Sequence, residues 1–378
     1  MKPFFYTSLF LCAFFISNFS FAQTDTTTIT EENPQNPSPF GTKGLQISGY
    51  LDVYYGYDFS KPKGNDKPYF VSMARHNEMN INLAYVEIKF SSDKVRAKFT
   101  PGFGTYINSN YANEPGSLKN LVEANVGIKL YKNIWLDAGV LGSPYTNESA
   151  ISKDHLMYTR SFAPEYVPYY LSGVKLTVPM SKKVTAYLYL LNGWQVIRDN
   201  NDKKSIGTQL EIRPNDQLLI NWNTYTGNEQ SELTPDFRTR YFSDIYLIYT
   251  PLAKFSATAC VYYGVQERKN NVGTKSNSEW FQANIIGKYN FTDKFSISSR
   301  LEYFDDPESV QITPLIDTGV EGFSSYSASL CLNYKITPYA LFRLESRSFF
   351  SEQKVYLNEN NIPSQNNQWA VANLTMWF

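Results

Sequence analysis

From Gly44 onward, apolar residues fall on every second position. Val122, Ala124, Val126, Ile128 and Leu130 alternate with Glu123, Asn125, Gly127 and Lys129. The same beat runs through Ile206–Ile212, Phe295–Tyr303 and Ala370–Phe378. Successive side chains of an extended strand point to opposite faces, so a period of two makes one apolar face and one polar face. No helical period of comparable length is present, and past the N-terminus no run approaches the ~20 apolar residues of a membrane helix. An apolar face on every strand needs an oily neighbour, which is either a second sheet or lipid.

The connections decide between them. Short turns fall at 91–94, 131–133, 179–183, 214–216, 250–254, 290–294 and 335–339. Longer polar segments lie between them, at about 59–79, 107–118, 143–168, 194–204, 228–240, 267–279, 306–322 and 351–365. Seven turns and eight loops make fifteen connections and sixteen strands, with both termini on the short-turn side. Short periplasmic turns and long extracellular loops mark an all-β, antiparallel transmembrane β-barrel. Aromatic residues make up 16% of the chain. Trp135, Trp194, Trp222, Tyr249, Tyr289 and Tyr334 sit near strand ends, where interfacial girdles form. The final strand closes on Trp377 and Phe378, and a C-terminal aromatic resembles the signal read by the barrel assembly machinery. That machinery and outer-membrane lipid are the expected partners, and a homo-oligomer is left open. The alternative is a periplasmic β-sandwich or propeller, and the turns lack the blade repeat of about 40–50 residues that a propeller shows.

The N-terminus reads as an address. Met1–Lys2 is followed by an apolar run from Phe4 to Phe15 and by Ser20-Phe21-Ala22, so residues 1–22 are read as a cleaved secretory signal peptide. Phe10-Leu11 before Cys12 is too bulky for a lipidation site. Residues 23–43, rich in Thr, Asn, Gln, Pro and acids, read as a disordered periplasmic tether ahead of a barrel spanning 44–378. Cys260 and Cys331 then remain, both in predicted strands, and two buried or lumen-facing thiols are preferred over one disulfide. With 35 basic and 35 acidic residues, nothing points to nucleic acid. Two His and three Cys are too few for a metal centre of any size, and no cofactor is expected.

Six segments carry a family resemblance: GYLDVYYGYDFSKP (Gly49–Pro62), RHNEMNINLAYVE (Arg75–Glu87), NYANEP (Asn110–Pro115), WLDAGVLGSPYTNESAISKD (Trp135–Asp154), YTRSFAPEYVPYY (Tyr158–Tyr170) and NGW (Asn192–Trp194). On these residues the chain resembles the OmpL-like β-barrel porin-2 family of bacteria. The likeness covers nearly all of 44–378 and is densest before residue 200. It implies an outer-membrane barrel and, less firmly, a porin, and it carries over no catalytic or ligand set. Composition and leader also suit a Gram-negative outer membrane of the Bacteroidetes type.

If the apolar set faces lipid, the other set faces inward. It contains Asp52, Glu87, Lys89, Arg96, Lys98, Glu123, Lys129, Lys175, Glu211, Arg213, Lys288, Arg300, Glu302, Arg343, Glu345 and Arg347. So many charges would be expensive in a dry core, and sixteen strands enclose a bore wide enough for water. The expected function is a water-filled channel for passive diffusion of small hydrophilic solutes. Ten basic against six acidic residues in that set predict a weak anion preference or none. Cross-strand pairing of these charges is the alternative. The 143–168 loop joins strands five and six and is expected to narrow the bore. It carries Glu148, Lys153, Asp154, His155, Arg160 and Glu165, with Asn147 or Ser149 as the cap of a short helix running to Tyr158. A loop packed on the rim is the alternative.

Other classes are weaker. An outer-membrane hydrolase needs a His beside a nucleophile or acid. Only His76 and His155 exist, both in or beside long loops, where solvated histidines are the rule, so no catalytic residue is assigned. An adhesin or scaffold barrel without transport is the principal alternative, because the long Asn/Ser-rich loops face outward. A plug-bearing active transporter has no room for its plug before the barrel. Inward Tyr54, Tyr85, Tyr187 and Tyr189 could stack on sugar rings, although inward tyrosines more often fill space.

Overall fold

The computed structural model describes residues 43–378 apart from 252–253, 270–272 and 316–317. The expected signal peptide, 1–22, and the expected tether through residue 42 lie outside the described residues.

Sixteen antiparallel strands form one closed barrel. They are β1 (Leu45–Asp58), β2 (Glu78–Ser91), β3 (Val95–Phe103), β4 (Leu121–Tyr131), β5 (Ile134–Gly142), β6 (Tyr170–Pro179), β7 (Val184–Leu191) and β8 (Ser205–Asn215). The second half comprises β9 (Leu218–Asn228), β10 (Phe237–Tyr249), β11 (Phe255–Lys269), β12 (Lys275–Asn290), β13 (Phe295–Asp306), β14 (Phe323–Thr337), β15 (Ala340–Phe350) and β16 (Asn366–Trp377). β1 pairs with β16 from Tyr50↔Trp377 to Asp58↔Trp369, which closes the sheet and leaves no edge strand. The count, class and seven short turns agree with the sequence reading.

Two long segments are shorter than their polarity implies. β10 begins at Phe237 and β12 at Lys275, so the connection within 228–240 shrinks to 229–236 and 267–279 is largely strand. Pairing continues up to Lys269↔Lys275, because backbone N–H and C=O groups gain ladder partners even where both faces are polar. Composition cannot distinguish that from a loop.

The alternation sorts the faces as expected. Val126, Ile128, Ile285, Leu301 and Leu374 are exposed on the outside, Val126 by 64%. Tyr249, Tyr289 and Tyr334 are exposed near the short-turn ends, where a girdle belongs. Trp222 is exposed too, but mid-strand, opposite Ile245. Trp135 and Trp194 do not belong to a girdle. Trp135 shares the inward parity of Asp137 and carries the Arg96 guanidinium 4.4 Å from its ring. Trp194 lies beyond the end of β7 and packs edge-on against Tyr225 and Phe242. Nearness to a strand end does not fix which face a residue takes.

The interior holds a contiguous aromatic core. Tyr145, Tyr225, Phe242, Tyr262 and Trp280 form one part of it, and Phe162, Phe304, Phe323, Phe349 and Tyr356 another. The Trp280 ring lies across Gly264, where a Cβ would stand 2.0 Å from it, so only glycine fits there. Cys260 and Cys331 are buried free thiols in this interior.

Candidate functional site

The segment between β5 and β6 crosses the barrel interior. On one side the Thr146 N–H donates to Asp244 at 2.7 Å, and the Asn147 amide donates to Thr258 at 3.0 Å and Asn284 at 2.9 Å. These partners stand on β10, β11 and β12. On the other side the Tyr158 hydroxyl donates to Asp52 of β1 at 3.0 Å, and Ser152 meets Tyr50 at 2.7 Å. The helix expected between Asn147 and Tyr158 is absent. A single 3-10 turn covers Ser152–Asp154, and a short α-helix, Phe162–Glu165, follows. The Asn147 side chain bonds the wall instead of capping a helix, so the cap signal is real polarity put to another use.

The inward charges of β13 and β15 receive this segment. Arg343 donates to the carbonyls of Ser152 and Met157 at 2.7 and 3.0 Å. Arg300 donates to the Thr159 carbonyl at 2.6 Å, and Arg347 to the Arg160 carbonyl at 2.9 Å. Glu302 accepts the Phe162 N–H at 2.6 Å, and Glu345 accepts the N–H groups of Tyr158 and Thr159. Arg300–Glu302, Arg300–Glu345 and Arg347–Glu302 are ion pairs with essentially no exposure. The expectation that water surrounds these charges therefore fails for Arg300, Glu302, Arg343, Glu345, Arg347 and Asp52, all buried. Their partners are loop backbone, neutral polar side chains such as Asn82, Tyr158 and Asn373 around Asp52, and one another, which meets the cost that water was invoked to avoid.

Solvent reaches the inward face along β2–β8. Lys89 pairs with Glu87 at 2.6 Å, and Lys98 bridges Glu87 at 2.8 Å and Glu123 at 2.7 Å. Arg96 pairs with Asp137 at 2.5 Å, and Lys175 reaches the same carboxylate at 3.8 Å. Lys129 lies over the Trp135 ring at 5.2 Å, and Arg213 pairs with Glu211 at 2.8 Å. Lys288, on β12, is half-buried. Of the four inward tyrosines, Tyr54 and Tyr189 are buried, while Tyr85 and Tyr187 are half-buried beside these charges. Asp137 was missed by sequence reading although it stands two residues from Trp135 on the same face. Arg240 and Asp244 were missed too, and they share the parity of Phe242.

Within the crossing segment, Lys153 and Asp154 form a partly exposed pair at 2.8 Å. Glu148 is buried and accepts the Ser161 N–H at 2.9 Å; burial pushes its carboxyl above the usual range. Arg160 stacks on Tyr169 at 4.2 Å and pairs with Glu165 at 3.2 Å. Neither His is solvated. His76 accepts the Asp58 N–H at 2.9 Å, and His155 Nε2 accepts the Ser149 N–H at 3.0 Å. Burial, then the neighbouring Arg160, Arg343 and Arg300, holds His155 well below the usual range. Ser149 Oγ lies 3.4 Å from the same nitrogen, but no carboxylate bonds Nδ1 among the described residues. This is not the aligned nucleophile, base and orienting acid that hydrolysis uses.

A family model described as "Putative beta-barrel porin-2, OmpL-like" matches residues 44–378. No curated protein matches the chain. Among solved structures, the outer membrane channel DcaP of Acinetobacter baumannii superposes with a TM-score of 0.61 at 10% identity, covering 88% of this chain and 97% of that one. The trimer form of OmpT, an outer membrane protein of Vibrio cholerae, gives 0.57 at 11%, covering 88% and 99%. An anion-selective porin from Comamonas acidovorans gives 0.56 at 7%, covering 88% and 99%.

Proposed function

The chain belongs to the putative beta-barrel porin-2, OmpL-like family, and on that premise we propose that it passes small hydrophilic solutes across the outer membrane by diffusion. The passage runs along the inward faces of β2–β8, and the 143–168 segment narrows it from the opposite side. One observation carries this reading: charged side chains that remain open to solvent inside the barrel gather on those strands and on Lys153 and Asp154 of the segment. Lys89, Arg96, Lys98, Lys129, Lys175 and Arg213 stand against Glu123 and Glu211 and the buried Glu87 and Asp137, six basic to four acidic. Most are paired, so the field is local and screened within a Debye length of ~8 Å at physiological salt. A weak anion preference, or none, follows. A homo-oligomer fits the same reading, since the trimer form of OmpT shares the fold.

Stepwise conductance in a planar bilayer tests it, with the purified barrel giving discrete, ohmic steps. The dry inner wall of β9–β15 favours one competitor, a scaffold or adhesin barrel without transport. A folded barrel that inserts and gives no steps would decide for that competitor.

A further inference from the structure

The segment between β1 and β2 folds back over the barrel and sends one cation into the core. Its fold is set by the backbone bridge Asp66↔Arg75 and by the Lys67 N–H donating to the Ala74 carbonyl at 2.6 Å. Tyr69 ties it to its neighbours, donating to the Val355 carbonyl and accepting from Tyr166 through its own carbonyl, both at 2.5 Å. Lys67 points down from this lid, with its side chain only 3% exposed.

The Lys67 ammonium lies 4.3 Å from the Phe349 ring centroid, 4.8 Å from Phe70 and 5.4 Å from Trp369. Its nearest carboxylate oxygen, on Asp58, is 3.6 Å away. None of its three N–H groups has a hydrogen-bond acceptor among the described residues. A small cavity beside it is lined by Phe70, Ser72, Arg160, Glu165 and Trp369. Three of the four surrounding groups belong to the barrel wall: Asp58 on β1, Phe349 on β15 and Trp369 on β16. The Trp369 ring lies across Gly56, where a Cβ would stand 2.2 Å from it, so the ring's place does not depend on Lys67. The guanidinium of Arg347 also lies over Phe349 at 4.5 Å, but it is held by Glu302.

Aromatic faces around a cation, with one carboxylate at the side, form a recognition site for an ammonium group. The buried Asp58 carboxylate supplies the opposite charge at 3.6 Å. We propose that Asp58, Phe349 and Trp369 form a binding site for the alkylammonium group of a solute, occupied in this structure by the chain's own Lys67. A solute bearing an amine would compete with the lid for this cage. The site does not depend on whether the barrel conducts, so its test is separate from the conductance test.

Lys67→Ala removes the chain atoms that propylammonium would replace. In the purified Lys67→Ala barrel, calorimetry should show saturable propylammonium binding, and binding should restore the resistance of residues 59–77 to trypsin. Binding should disappear in Lys67→Ala/Trp369→Leu and weaken at least tenfold with Asp58→Asn. Propanol, the neutral analogue, should do neither. The wild type should bind more than tenfold more weakly, because its tethered lysine competes at a high effective concentration. Folding is checked by heat-modifiable electrophoretic mobility. Absence of saturable binding in a folded Lys67→Ala barrel, or equal rescue by propanol, overturns the site. If that variant does not fold, the wild type decides: 59–77 must become trypsin-sensitive in excess propylammonium and stay resistant in excess propanol, and any other result overturns the site.

Discussion

Glu345 holds Thr159 twice, accepting its backbone N–H at 2.8 Å and its hydroxyl at 2.5 Å. The same carboxylate accepts the Tyr158 N–H and pairs with Arg300. One wall residue thus fixes the middle of the segment that crosses the barrel. Removing it would leave two buried amides and an arginine short of a partner, and breaking a buried pair in this way costs roughly 3–5 kcal/mol.

Glu345→Ala should therefore unseat the 143–168 segment without unfolding the barrel, whose ladder hydrogen bonds do not involve it. Single-channel conductance should rise at least twofold and become noisy, while Glu345→Gln, which keeps one acceptor, should fall between. A folded Glu345→Ala barrel with wild-type conductance would mean that the segment does not restrict flow.

The strand count, the closure and the lipid face were legible because a period of two is a strictly local signal. Val126 and Leu301 announce their face through their immediate neighbours. What fills the interior was not legible, because it depends on contacts such as Arg343 with Ser152, 191 positions apart. From the sequence, Arg343 is an inward cation and Ser152 a loop residue, and water is the neighbour that parity suggests for both. Family motifs did mark the segment, since WLDAGVLGSPYTNESAISKD and YTRSFAPEYVPYY contain nearly every residue that docks on β13 and β15. A motif shows that residues matter together and is silent about where they go.

The register can be tested by charge. Val126→Arg and Leu301→Arg put a cation against lipid and should each cost ~2–4 kcal/mol near the midplane. Asn125→Arg, on the solvent-reached inner face, should be tolerated. Ser298→Arg, although inward, should not be, because Ser298 is buried and accepts from Asn333 at 3.0 Å. Urea titration in detergent reads all four. Equal loss for Asn125→Arg and Val126→Arg would refute the assigned faces.

Phe378 is exposed at the short-turn end of the final strand, its ring beside Gly49, where a Cβ would stand 2.3 Å away. Its backbone N–H and C=O both pair with Gly49 at 3.1 Å. We expect its ring to act during assembly and not in the passage. Deleting Phe378 should lower the amount of inserted barrel several-fold and leave the conductance of the survivors unchanged. Wild-type levels of inserted barrel would remove the assembly role.

Arg96 and Lys98 neutralise Asp137, Glu87 and Glu123 on the solvent-reached wall. Substituting both with Ala leaves three carboxylates short of their cations. Reversal potentials under a KCl gradient should move toward cation selectivity, more at low salt than at high. No shift would place the pair outside the conducting path.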